Sequence, residues 1–157
     1  MDKRIQAVHD RKSDRIAGRF MKGIDLFEGI KGVCKKFGVE AAQFQCLGSL
    51  EYATYVQPDQ NEDGTLYYSS ENITDSPVEL LSGTGFVGLD MEGELEVHFH
   101  GMIVDCNKNI TGGHFIDGKN PVAVTIEFIL FPLNGIKMQR DLDEIYGIPV
   151  FQFREKE

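Results

Sequence analysis

The chemistry of this sequence is concentrated in the stretch Glu94 to Ile116, ELEVHFHGMIVDCNKNITGGHFI, which holds three of the four histidines. Glu94, Glu96, His98 and His100 alternate with Leu95, Val97 and Phe99. Period two with one apolar side predicts a strand whose polar face carries the histidines. The polar knot Asp105-Cys106-Asn107-Lys108-Asn109 predicts a turn, and Ile110 to Phe115 the returning strand. A turn centred on Asn107 sets Val104 opposite Ile110, Met102 opposite Gly112 and His100 opposite His114. His98 is then the diagonal neighbour of His114, about 7–8 Å away on the same face. Three imidazoles converging on one patch form the donor set of a three-histidine metal site. Zinc suits these ligands best, and nickel, copper or iron are other divalent ions that accept them. Glu96 shares the face and is the candidate fourth ligand or the partner of a ligand. A slip of one residue would send His114 to the opposite face, so the site depends on the turn. The plainer alternative is a solvated polar face.

The elements that must hold this hairpin are also legible. Leu26, Phe27, Ile30, Val33, Cys34 and Phe37 follow helical spacing, with Asp25 and Glu28 at the start and Gly38 at the stop. Arg15 to Phe20 predicts a first strand, preceded by a polar, poorly packed segment over residues 1–14. Val39 to Leu47 and Leu50 to Val56 predict two strands broken at Gly48-Ser49. Residues 58–77 form a polar excursion with a short strand at Leu66-Tyr67-Tyr68. Val78 to Gly88 is a strand whose Gly83 and Gly85 signal a bulge or close contact. Val122 to Phe131 is continuously β-forming and suits a strand buried on both faces, in the core or at a subunit interface. A charged patch, Arg140-Asp141-Leu142-Asp143-Glu144, follows, then Pro149 to Phe153.

With 157 residues, 41% of them hydrophobic, the chain fits one strand-rich domain. No apolar run approaches the roughly 18–20 residues of a membrane span, and the start lacks a signal-like apolar core. Cys34, Cys46 and Cys106 lack metal-ligand spacing, so reduced thiols in the cytoplasm are expected. The net charge is −9. Residues 1–22 hold seven basic and three acidic side chains, a local +4, which leaves −13 on the remainder. An acidic body is a poor match to the phosphate backbone. Any nucleic-acid contact is therefore expected at the N-terminal segment, through Lys3, Arg4, Arg11 and Lys12, and is expected to be weak.

Gly48-Ser49-Leu50, Val78 to Gly85, His98-Phe99-His100 and Gly112-Gly113-His114 together resemble, in order and spacing, the plants and prokaryotes conserved (PPC) domain, over about Arg15 to Leu133. The resemblance implies an α/β (α+β) fold, a mainly antiparallel sheet with flanking helices, with residues 15–157 as one such domain. It implies a homotrimer of the stand-alone prokaryotic type. It also implies a metal at His98, His100 and His114, as proposed for some prokaryotic members. In plants the domain follows an AT-hook in nuclear DNA-binding proteins, and prokaryotic members are named as candidate DNA-binding proteins. Here no Arg-Gly-Arg-Pro hook occurs, and Asp75-Ser76-Pro77-Val78 replaces the Gly-Arg-Phe that precedes the Glu-Leu-Leu-like stretch.

Three functions follow as expectations. The first is a trimeric DNA-binding or regulatory module carrying a histidine metal site. The second is a metal-dependent enzyme or small-ligand binder, in which a metal-bound water acts as nucleophile and a glutamate as base. The third is a structural trimer with no DNA binding, its metal a staple. The enzyme is the less favoured reading, because the sequence shows no Gly-x-Ser-x-Gly, no phosphate-binding loop and no paired Cys-x-x-Cys.

Overall fold

Asp25 starts α1 (Leu26–Phe37), the one helix among the described residues. Its backbone is extended, and its Oδ1 accepts from the N–H groups of Phe27 at 2.9 Å and Glu28 at 3.2 Å. Two donors that the helix cannot satisfy internally are thereby paired. Gly38 ends the helix in the left-handed conformation at φ 68°, where a side chain would be strained. Leu26, Phe27, Ile30, Val33 and Cys34 are buried, so the apolar stripe of the sequence is the face that meets the sheet.

The structure, a computed structural model, describes residues 2–145 and 147–157. Thirteen strands occur among them. In chain order the first six are β1 (Ile5–Asp10), β2 (Arg15–Met21), β3 (Ala42–Leu50), β4 (Thr54–Val56), β5 (Pro58–Gln60) and β6 (Leu66–Tyr68). Then follow β7 (Asn72–Ile73), β8 (Val78–Leu89), β9 (Leu95–Val104), β10 (Ile110–Phe115), β11 (Val122–Pro132), β12 (Ile136–Leu142) and β13 (Pro149–Glu155). Eleven strands share one sheet, in the order β1-β2-β11-β3-β8-β9-β10-β4-β7 with the hairpin β12–β13 joined to β8. All pairings are antiparallel except the contact of Gln139 in β12 with Leu89 in β8. The mainly antiparallel sheet is as expected, whereas the expected set of flanking helices reduces to α1 alone.

The core lies between α1 and one face of this sheet. Phe99 is its hub. Its ring stacks on Phe44 at 5.5 Å between centroids and meets Phe27 and Phe115 edge-on at 6.1 and 5.3 Å. Each such ring contributes about 1.5–3 kcal/mol on burial. The glycines of β8 make the space. A Cβ at Gly83 would fall 2.1 Å from Phe99 Cζ, and one at Gly85 2.5 Å from a Phe44 ring carbon. Because Phe99 points inward, period two turns its neighbours His98 and His100 outward.

Two local expectations are corrected. Residues 5–10, expected to be poorly packed, pair with β2 over their whole length and bury Ala7. Gly48-Ser49 does not break a strand, because β3 runs through it with a register shift on both sides. A Cβ at Gly48 would sit 2.1 Å from Thr125 O, so the glycine admits a bulge and keeps the strand whole. Along β11, Val122, Ile126, Phe128 and Leu130 are buried, Thr125, Ile129 and Phe131 are half-buried and Glu127 is exposed, while Val124, where the register shifts, is 67% exposed. Within the chain its second face is covered in part.

Candidate metal centre

The hairpin β9–β10 is closed by Asp105. Its Oδ1 accepts from the N–H groups of Asn107 at 2.8 Å and Asn109 at 2.9 Å, and its Oδ2 from Asn109 Nδ2. Lys108 takes a left-handed φ of 68°. This turn fixes the register, in which Val104 pairs with Ile110, Met102 with Gly112 and His100 with His114. On the other side of β9, His100 lies opposite Thr84 and His98 opposite Phe86.

The register brings the three histidines together on the outer face. Their ring centroids are 5.0 Å apart for His98–His100, 5.0 Å for His98–His114 and 5.3 Å for His100–His114. One nitrogen from each lies within 4.8 Å of the others. His98 Nε2 and His100 Nε2 are 3.2 Å apart. Two nitrogens on one tetrahedral zinc at 2.0–2.1 Å are about 3.3–3.4 Å apart, so this pair is spaced as ligands of a shared ion are. His114 Nδ1 is buried with no hydrogen-bond partner among the described residues, which costs energy unless something fills its lone pair or takes its proton. Both observations fit a transition-metal ion. His100 is exposed and the other two are half-buried.

Burial holds His98 neutral, pushing it down to about 4, with the neighbouring His114, His100 and Arg140 acting in the same direction. His114 is lowered for the same leading reason, aided by His100 and Arg140 and opposed by Glu96. Neutral imidazole is the form that ligates a metal. The fourth histidine, His9, stands apart in β1 and pairs its Nε2 with Asp14 at 2.8 Å.

Glu96, the expected fourth ligand or partner, has both carboxylate oxygens at 2.9 Å from Arg140 Nε. It is not among the three residues whose ligand atoms cluster. Arg140 comes from β12, donates through Nη1 to Pro149 O at 3.0 Å and lies over the Phe151 ring at 4.4 Å. Phe151 in turn is 6.5 Å from the His98 ring, and Tyr68 of β6 is 5.6 Å from the His114 ring. Sequence reading places Arg140 in a charged patch and Tyr68 in an excursion without linking either to the histidines. No short-range pattern carries that link, since they reach the site through sheet and hairpin packing.

The expected nucleic-acid contacts are not one patch. Lys3 and Arg4 stand at the start of β1 and Arg11 and Lys12 in the turn after it, separated by a strand of about 20 Å. Arg4 is committed to Asp2, with Nη2 at 2.6 Å from Oδ2, and this pair holds the Asp2 carboxyl down at about 2. No helix is long and apolar enough to cross a membrane.

Several solved structures share the fold at low sequence identity. A candidate DNA-binding protein from Bacteroides thetaiotaomicron matches with a TM-score of 0.77 at 14% identity, over 96% of this chain and 99% of its own. A metal-containing protein from Archaeoglobus fulgidus matches at 0.74 and 22% identity, over 94% and 97%. A plant- and prokaryote-conserved protein from Pyrococcus horikoshii matches at 0.73 and 24% identity, over 97% and 96%. No match is found among curated proteins. The sequence pattern of the Plants and Prokaryotes Conserved (PCC) domain matches residues 9–134, a span that contains α1, the glycine-bearing β8 and all three clustered histidines, and the chain belongs to that family.

Proposed function

We propose that the chain is a metal-binding PCC-domain protein in which His98, His100 and His114 hold one divalent transition-metal ion, zinc being the best match to three imidazoles. The convergence of three ligand nitrogens within 4.8 Å carries this reading. It is supported by the orphaned His114 Nδ1 and by the name of the Archaeoglobus structure. Glu96 acts on the site through Arg140 and His114 instead of as a fourth ligand. Elemental analysis of protein purified without chelator tests the assignment. About one metal per chain is expected, and a metal-free protein that also fails to take up added zinc overturns it.

The same protein is proposed to act as a homotrimer with a regulatory role on DNA. The trimer is supported by apolar side chains on the uncovered sheet face, among them Leu47 at 56% and Val124 at 67% exposure. Closed rings are the usual way to cover such faces. DNA binding is supported by the name of the Bacteroides structure and by the positive N-terminal segment with Lys3, Arg4, Arg11 and Lys12. Light scattering should give three chains per particle, and a monomer at micromolar concentration removes the trimer. DNA affinity should be weak, because a net charge of −9 opposes the phosphate backbone, and should fall steeply with salt, because the binding it has comes from Lys and Arg on phosphates. A variant with Lys3, Arg11 and Lys12 changed to Gln should lose most of it, and unchanged binding would refute the location.

A further inference from the structure

The side chains around the three histidines do more than bury them. Arg140 is fixed on three sides, by Glu96 at Nε, by Pro149 O at Nη1 and by the Phe151 ring beneath it. Its Nη2 makes no hydrogen bond among the described residues, although the side chain is only 18% exposed. The Phe151 ring beneath the guanidinium is 6.5 Å from the His98 ring, and Glu96 stands two residues before His98 on the same strand. A rigid cation with one unused donor edge beside a metal site is pre-organised for an anion, because little side-chain freedom is lost on binding.

Charge narrows the ligand. Arg140 and Glu96 cancel each other, three neutral imidazoles add nothing, and a divalent ion leaves the site at a net charge of two positive. Three protein donors leave a fourth position on a four-coordinate ion for water or a ligand. Two aromatic rings lie by the cluster, Phe151 6.5 Å from the His98 ring and Tyr68 5.6 Å from the His114 ring. Tyr68 is 60% exposed, a large apolar surface left open on that side. An inorganic anion would leave both rings uncovered. A carboxylate with a planar or apolar body would cover them.

From this we infer that the surface presented by His98, His100, His114, Arg140, Phe151 and Tyr68 binds a small organic carboxylate. One carboxylate oxygen faces the metal, the other accepts from Arg140 Nη2, and the body lies between the two rings. Arg140 and Phe151 both come from the β12–β13 hairpin, which lies beyond the matched family pattern at 134. The recognition element is thus supplied from outside the segment that supplies the histidines. The inference rests on the metal reading proposed above.

The test uses the full chain loaded with cobalt(II), whose visible absorption reports on the ligands of the ion. Benzoate should change the cobalt spectrum saturably, while benzamide and inorganic phosphate at the same concentration should not. Arg140→Gln should weaken benzoate about tenfold or more and leave cobalt content unchanged. Because that change strips Glu96 of its cation, the double variant E96Q/R140Q, which removes the pair together, should show the same loss. Tyr68→Ala should also weaken benzoate, without affecting acetate. Cobalt bound with no response to benzoate, a response to phosphate in preference to benzoate, or benzoate affinity in both Arg140 variants equal to that of the unsubstituted chain overturns the ligand assignment alone. Failure to hold cobalt overturns the metal reading and the ligand with it.

Discussion

His98 Nε2 and His100 Nε2 face each other across 3.2 Å on the outer side of β9. Without an ion, one Nε2 must carry the proton and donate while the other accepts, so the two rings must hold opposite tautomers. With an ion between them both Nε2 atoms are unprotonated and give their lone pairs to it. His100→Ala should therefore lower metal content from about one per chain to near zero, whereas His9→Ala, which removes a ring paired with Asp14, should leave it unchanged. Elemental analysis of both variants checks this.

Acid should destabilise the metal-free protein. In the unfolded chain a histidine titrates near 6.5, whereas folded His98 is pushed down to about 4 and folded His114 is lowered too. Below 6.5 the unfolded state therefore binds more protons than the folded one. Stability is fully present above that pH and is lost as pH falls toward 4. Urea midpoints of the chelated protein at pH 7.5 and 5 measure the loss, and His98→Asn should flatten the dependence.

Thiol reactivity should separate the three cysteines. Burial pushes Cys34 up to about 12 and raises Cys46 as well, whereas Cys106 is exposed in the hairpin turn. The thiolate is the reactive form. At pH 8 a disulfide reagent should titrate one thiol per native chain quickly, and three in denaturant.

Asn120 is a buried polar tie. Its N–H donates to Asp25 Oδ2 at 2.7 Å, its Oδ1 accepts from Thr54 N–H at 2.8 Å, and its Nδ2 donates to Ile116 O at 2.6 Å. It joins the start of α1 to β4 and to the end of β10, the strand that carries His114. Asn120→Ala would leave a buried donor and acceptor unpaired, at about 1–3 kcal/mol each. Thermal denaturation should show a clear drop, accompanied by weaker metal retention. Asp25→Ala should cost about 0.5–2 kcal/mol for the helix cap and, in addition, the penalty of leaving the Asn120 N–H unpaired.

Gly83→Ala should destabilise the protein more than a surface change does, because the added methyl would overlap the Phe99 ring. Overpacking of this kind costs about 1–3 kcal/mol. Pairing it with Phe99→Leu should recover part of the loss, which a urea titration of the two variants would show.

Local pattern determined a large share of this protein. The period of α1, its Asp25 cap and its Gly38 stop are set by near neighbours in the chain, as is the Asp105 turn. Because that turn fixes the register, the pairing of His100 with His114 was legible as well. The motifs that signal the PCC family are similarly local. What tertiary structure decided are the relationships between segments far apart in the chain. Residues 5–10 look polar and loose in isolation, yet they become a strand because β2 offers them an edge. Gly48 reads as a break, but it is a bulge because Thr125 O passes where its Cβ would be. Val122 to Phe131 reads as buried on both faces, in the core or at a subunit interface, and within the chain the fold buries one face and covers the other in part. Around the histidines, the hairpin alone gives three donors on a face. Arg140, Phe151 and Tyr68 arrive from β12, β13 and β6, and Arg140 pairs with Glu96. Side-chain period and turn chemistry act over a few residues, whereas the surroundings of a site depend on which distant strands the core packs together.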